Sequence, residues 1–120
     1  MIYKIKNIQE IIYDGFEDDF YDLPHSFKCP LCHENIIIDI LNLKPFRLLD
    51  EEVKNTILFK MKKIKVSPLS STSDSYNYNF LPIYYDMHEC NSNSKKILRI
   101  IASGEHQPAR YQIILIAMCI

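Results

Sequence analysis

Apolar residues recur along this chain in patterns that predict both strands and a helix. Short stretches that are alternating or continuously apolar are typical of β-strands, and they occupy residues 36–40, 79–86, 96–102 and 111–120. The last stretch is almost unbroken apolar sequence, which indicates a central strand covered on both faces. The first and third strands each follow a cysteine-bearing turn, so the pattern predicts two β-hairpins with a cysteine at each tip.

Residues 50–64 instead predict one amphipathic helix. Asp50 can cap its start, and acidic residues at the beginning and lysines at the end match the helix dipole. Apolar residues recur at helical spacing and are expected to face the core: Val53, Ile57, Met61 and Ile64. Residues 67–78 are rich in serine and predict an exposed loop. The sequence therefore predicts a single α+β domain over 1–120, mainly an antiparallel sheet of hairpins.

Composition narrows the classes of function. A chain of 120 residues with 48% hydrophobic and 24% charged residues is that of an ordinary globular domain. Its two glycines are too few for a glycine-rich phosphate loop, which disfavours nucleotide-dependent chemistry. The N-terminus lacks the apolar core of a signal peptide, and the longest apolar run, 113–120, is too short to cross a bilayer. We expect a cytoplasmic protein with no membrane partner.

Charge is balanced overall at −1 but segregated along the chain. Residues 7–27 contain six acidic residues and neither lysine nor arginine, and aromatic rings are interleaved with the acids. Such a surface can offer a basic protein both charge and contact area. The predicted partner-binding residues are Asp14, Phe16, Glu17, Asp18, Asp19, Phe20, Tyr21 and Asp22. The alternative is that the rings belong to the core and the acids form its solvated rim.

Residues 44–65 hold seven of the fourteen basic residues. Lys60, Lys62 and Lys63 could contact phosphates, but helix-dipole matching also explains them, and the net charge lacks the excess of a dedicated nucleic-acid binder. Arg110 in the segment 104–110 could bind a carboxylate or phosphate, or could pair with Glu105 and pin a loop.

The cysteines suggest a metal site. In Cys29-Pro30-Leu31-Cys32 the spacing lets two thiolates converge on one tetrahedral ion, and Cys90 lies downstream with Asn93 where a second pair would end. These turns resemble the zinc-ribbon group over residues 27–40 and 80–102. The resemblance implies that two cysteine-bearing turns clamp one Zn²⁺.

The predicted ligands of that ion are Cys29, Cys32, His88 and Cys90. His88 is the best fourth ligand because a ring two residues before Cys90 can reach the same ion from an extended strand, and His33 is an alternative. A relic turn, whose cysteines are small buried apolar groups, would need no metal. Cys119, inside the last apolar run, is expected to be buried.

The pattern does not favour an enzyme. The zinc deaminases place His-x-Glu before Pro-Cys-x-x-Cys, whereas here the order is reversed and His88 and Glu89 are contiguous. The prediction is a noncatalytic protein-binding module, an immunity or inhibitor protein that neutralises a toxin or nuclease with a basic surface. The alternative is a zinc-ribbon module that binds nucleic acid.

Overall fold

The computed structural model describes residues 5–22, 25–29, 33–61, 65–66, 76–78, 81–89, 96–108 and 110–119. Its strands are β1 Ile5–Phe16, β2 His25–Lys28, β3 Asn35–Ile38, β4 Lys44–Pro45, β5 Lys65–Val66, β6 Tyr76–Tyr78, β7 Leu81–Glu89, β8 Lys96–Gln107 and β9 Arg110–Cys119. Its helices are α1 Glu17–Asp22 and α2 Glu51–Lys60, with 3₁₀ helices at Ile40–Asn42 and Phe46–Leu48.

Antiparallel pairing dominates this part of the chain. Seven strands form one sheet in the order β1-β9-β8-β7-β6-β5, with β4 also paired to β7. β2 and β3 form a separate hairpin, in which Phe27 lies opposite Ile36. The predicted class, a mainly antiparallel sheet with few helices, is confirmed at this level, and so are the hairpins β2–β3 and β7–β8.

β9 is the central strand that the apolar run predicts. It is hydrogen-bonded to β1 on one side and β8 on the other, and residues 113–119 are all buried. Ile100 pairs with Ala117 and Ile101 with Leu115, which leaves Ile116 as an extra residue in β9. This β-bulge shifts the alternation of side chains by one position along the strand.

Successive residues of a strand point to opposite faces of the sheet, so β8 contributes side chains to two separate core clusters. Both faces are covered. On one face, Leu98 and Ile100 of β8 pack with Phe46, Ile57 and Met61, so α2 and the second 3₁₀ helix cover this side. On the other face, a second cluster joins β8 and β9 to α1 and the β2–β3 hairpin: Phe20, Phe27, Cys29, Ile38, Ile97, Ile101 and Leu115.

The observed helix is shorter than the predicted one. α2 spans Glu51–Lys60, and Met61 ends it with an N–H that donates to the carbonyl of Ile57 at 2.7 Å. Ile57 and Met61 are buried as predicted and Val53 is half-buried, whereas residues 62–64 lie outside the described residues. Asp50 precedes the helix, but its side chain makes no capping hydrogen bond.

Three further segments differ from the sequence prediction. The predicted loop at 67–78 is wrong at its end because Tyr76–Tyr78 forms β6, while residues 67–75 lie outside the described residues. The predicted loop at 104–110 is mostly strand, since β8 continues to Gln107. The 12-residue strand β1 was not predicted. No helix in the described part of the chain is long and apolar enough to span a membrane.

Candidate functional site

The acidic residues of the first segment lie together on α1. Glu17, Asp18 and Asp19 occupy its first turn, all three are exposed, and its last turn contains no basic residue. Phe16 before them is 67% exposed and Tyr21 after them is 53% exposed. We call these five residues the acidic surface. It presents three carboxylates between two rings that are open to solvent.

Phe20 has a different role from its neighbours because its ring is 4% exposed. It packs among Tyr21, Tyr111 and Tyr13, with ring centroids 4.9, 4.8 and 6.1 Å away. His25 Nε2 donates a hydrogen bond to the carbonyl oxygen of Phe20 at 2.9 Å. The ring therefore anchors α1 to the sheet. Asp22 ends α1, and its side chain lies outside the described residues.

The charge of Asp14, two residues before Phe16, is partly neutralised by an ion pair with Arg110. Its carboxylate lies 3.1 Å from Arg110 Nε and 3.3 Å from Gln112 Nε2, which joins β1 to β9. Arg110 thus pairs with an acid of β1, Asp14, whereas the sequence suggested Glu105 as its partner. Both partners are half-exposed, so the pair contributes little stability.

Two tyrosines beside the acidic surface respond to its charge. Burial, and then the carboxylates of Asp19 and Asp14, raise the pKa of Tyr13. Burial and Glu17 similarly raise the pKa of Tyr111. The Tyr13 hydroxyl also donates to the carbonyl oxygen of Phe16 at 2.6 Å, which fixes the start of α1. The acidic surface is thus backed by two neutral tyrosines, of which Tyr13 is hydrogen-bonded.

A small cleft of about 170 Å³ adjoins the acidic surface. Its walls come from α1, the first 3₁₀ helix, β7 and β8: Phe20, Tyr21, Ile40, Leu41, Tyr84 and Ser103. Leu41 is 80% exposed. An open apolar cleft next to three carboxylates can accept one large apolar side chain of a basic protein.

The predicted metal ligands are described in part. Cys29 directly follows β2 and is fully buried; its N–H donates to Glu34 O at 2.9 Å, and its carbonyl accepts from His33 N–H at 2.8 Å. His33 is exposed and has a φ of 60°. These two backbone bonds join Cys29 to Glu34 and His33. Cys32 and Cys90 lie outside the described residues.

His88 lies on the same side of the sheet as Cys29. Its ring is 6.4 Å from that of Phe27, which packs with Cys29, and His88 pairs with Ile97 of the same cluster. Burial, and then the nearby Arg99, lower the pKa of His88, which favours the neutral imidazole that binds metals. Among the described residues, no group of three or more His, Cys, Asp or Glu side chains is placed to hold a metal ion.

The described basic residues at 44–60 come from three elements, and one of them is buried. Lys54 is 5% exposed, lies 3.0 Å from Glu51, and donates to the carbonyl of Arg47 at 3.3 Å. Lys44, Arg47 and Lys60 are exposed on separate elements. Lys62 and Lys63, and the side chain of Lys65, lie outside the described residues. Burial of Cys119 is confirmed, and it raises the pKa of that thiol to about 12.

A scan of protein-family models, a search of curated proteins and a search of solved structures each found no match to this chain. Inference about function therefore depends on the chemistry of the described surfaces.

Proposed function

We propose that this chain is a noncatalytic protein-binding module that captures a partner with a basic surface through α1. The observation that carries the proposal is the acidic surface itself, in which three exposed carboxylates lie between the exposed rings of Phe16 and Tyr21. Charge attracts and orients a basic partner, and rings supply most of the contact energy at protein interfaces. An immunity or inhibitor protein that neutralises a basic toxin or nuclease needs a surface of this kind, which combines negative charge with exposed rings.

The anchoring of α1 supports this role. Phe20 is buried against the sheet, and its carbonyl accepts a hydrogen bond from His25 Nε2, so α1 has a fixed position. A preorganised surface loses less conformational entropy on binding than a flexible one. The adjoining cleft at Leu41 adds a place for an apolar side chain of the partner.

Photo-crosslinking tests the proposal directly, because it requires no purified partner. A benzophenone amino acid is placed at position 16 and, as a matched control, at position 59, because Phe59 is also exposed, at 76%, but lies on α2. We expect position 16 to crosslink one basic protein in lysate of the native cells and position 59 to miss it. Identical products at both positions, or an acidic protein at position 16, would contradict the proposal.

We also propose that one structural Zn²⁺ joins the β2–β3 turn to the β7–β8 turn, bound by Cys29, Cys32, His88 and Cys90. The position of two predicted ligands supports it, because Cys29 and Phe27 belong to one buried cluster and the ring of His88 lies 6.4 Å from that of Phe27. Bound zinc would hold the two hairpins together. The alternative, a nucleic-acid-binding ribbon, has less support because the net charge of −1 lacks the basic excess of a dedicated nucleic-acid binder.

Elemental analysis of protein purified without added metal or chelator tests the zinc proposal. We expect about one zinc per chain, lost on Cys29→Ser and reduced on His88→Gln, whereas Cys119→Ser, which alters a buried cysteine of β9, should retain it. Metal-free wild-type protein would show that the turns are a relic whose cysteines serve as buried apolar groups.

A further inference from the structure

The small cleft beside the acidic surface has a buried floor and an open rim. Phe20 and Ser103 form the floor, and each is 4% exposed. Tyr21 of α1 and Leu41 of the first 3₁₀ helix form the rim and are 53% and 80% exposed. The remaining apolar walls are half-buried: Ile40, Leu43 and Tyr84. The cleft is therefore accessible to a side chain that approaches from solvent.

The strand register places the cleft on the face of the sheet that α1 covers. Tyr84 of β7 lies opposite Ile101 of β8, and Ile101 packs in the same buried cluster as Phe20. Ser103 comes two residues after Ile101 in the same strand and therefore points to the same face. Tyr84, Ser103 and Phe20 thus lie on one side of the sheet, between α1 and the first 3₁₀ helix.

The volume of the cleft fits one aromatic ring or one leucine side chain. It measures about 170 Å³. An apolar cavity of about 150 Å³ in another protein binds benzene, so the space is that of a single ring. The described lining residues carry no formal charge. An apolar side chain that enters the cleft is therefore removed from water without the burial of a charge.

The charge beside the α1 wall of the cleft is negative. Glu17 and Asp18 precede Tyr21 by four and three residues, a spacing that makes them its neighbours on the surface of a helix, with Cβ atoms about 5–6 Å apart. Burial, and then the carboxylates of Glu17 and Glu105, raise the pKa of Tyr111, whose ring lies 5.9 Å from that of Tyr21. Acidic groups therefore surround this wall of the cleft.

The described charges on the opposite wall offset each other. Asp39 begins the first 3₁₀ helix and accepts from the Leu41 N–H at 3.0 Å and from Asn42 Nδ2 at 2.7 Å. Lys44, which follows this helix in β4, is exposed. One acid and one base balance here, so the charge that attracts a partner to the cleft comes from α1 and favours a base.

We propose that the cleft binds a phenylalanine or leucine side chain of the partner that is located within two residues of a lysine or arginine. This inference rests on the proposed function and specifies what α1 recognises. The apolar side chain fills the space between Tyr21 and Leu41, and the base contacts the carboxylates of Glu17 and Asp18. In an extended chain, residues two apart point to the same side at a separation of about 7 Å, so one segment supplies both groups.

NMR titration with short peptides tests the cleft without the partner. The probe has phenylalanine at its centre, lysine at both ends, serine between them and blocked termini. We expect it to shift the backbone amides of Leu41, Tyr84 and Ser103 saturably. An analogue with central alanine should bind about tenfold more weakly, because it leaves the cleft empty. An analogue with glutamate at both ends should also bind at least about tenfold more weakly at low salt, because its charge is repelled.

A matched pair of variants assigns the ring to the cleft. Leu41→Ser should reduce the preference for phenylalanine over alanine from about tenfold to about twofold, whereas Leu48→Ser, in the second 3₁₀ helix, should preserve it. Both leucines are exposed, at 80% and 56%, so the fold is expected to persist. Asp18→Asn should weaken both lysine peptides equally, about two- to fivefold, because charge and ring act independently.

The outcomes separate this inference from the proposed function. Equal affinity for the phenylalanine and alanine peptides, with both weakened by Asp18→Asn, would overturn the inference and leave capture through α1 standing. Equal loss of the preference in Leu41→Ser and Leu48→Ser would also overturn it. Equal affinity for the lysine and glutamate peptides would contradict both proposals. Shifts at Leu41 that grow with protein concentration without peptide would show a second copy in the cleft and overturn the inference.

Discussion

Phe16 and Phe20 show at the scale of single residues what the sequence predicts and what it leaves open. Both are aromatic residues of the acidic segment, yet Phe16 is 67% exposed and Phe20 is 4% exposed. The sequence left two interpretations, rings as partner contacts or rings as core, and each describes one of these residues. α1 has only six residues, so it carries too few positions for a periodic pattern to show which ring points inward.

Replacing each ring by alanine separates the two roles. Phe20→Ala is expected to lower the free energy of unfolding by about 3–5 kcal/mol, because it removes a buried ring from the second core. Phe16→Ala should change it by about 0.5 kcal/mol or less, since that ring is on the surface. Urea unfolding measures both. Equal losses for the two variants would contradict the observed packing of α1.

His88 gives a prediction about pH. Its pKa is lowered by burial and by Arg99, so the folded state binds a proton less readily than the unfolded state, whose value is about 6.5. Stability is therefore complete above about pH 6.5 and is lost as the pH falls through the lower, folded-state pKa. In metal-free protein, NMR titration of the imidazole should give a midpoint below that of an exposed histidine, and His88→Gln should flatten the acid-side loss. A midpoint at or above 6.5 would contradict this environment.

At the scale of elements, a regular apolar pattern predicted its strand, and a strand with an irregular pattern was missed. The nearly continuous run of β9 located the central strand, although it could not reveal the bulge at Ile116. β1 was missed because register shifts between Asn7 and Glu10 and between Ile11 and Tyr13 break its alternation, and Gln9 has a φ of 61°. Such irregularities are common in edge strands, where they hinder pairing with another chain.

The strand β8 depends on Gly104 for its local backbone conformation. Its φ is +148°, and a Cβ built there would lie 3.3 Å from Pro82 Cδ of β7. Gly104→Ala is therefore expected to lower the free energy of unfolding by about 1–3 kcal/mol, through backbone strain and this contact. Adding Pro82→Ala should recover only the part that is due to the contact. A single variant as stable as the wild type in thermal and urea unfolding would contradict the assigned backbone conformation.

At the scale of the whole molecule, the fold combines a surface that is local in sequence with a buried charge pair that is not. The acidic surface could be predicted from charge segregation along 7–27, because it is local in sequence. The surroundings of Arg99 could not, because Phe27, Asp86 and Arg99 come from three strands that only the tertiary fold brings together. The signal that could have suggested a buried pair is Arg99, a lone charge within the apolar stretch 97–102. A buried charge in such a stretch requires a partner, and Asp86 is that partner.

The central claim is that charge on α1 drives capture of a basic protein, and the rate of association with the partner crosslinked at position 16 tests it most directly. The double variant Asp18→Asn/Asp19→Asn is compared with Asp50→Asn/Glu89→Gln, which removes two exposed acids elsewhere. We predict association about tenfold slower, with a weaker salt dependence, for the α1 variant only, because long-range charge steers encounter. Equal rates for the two double variants would contradict the claim.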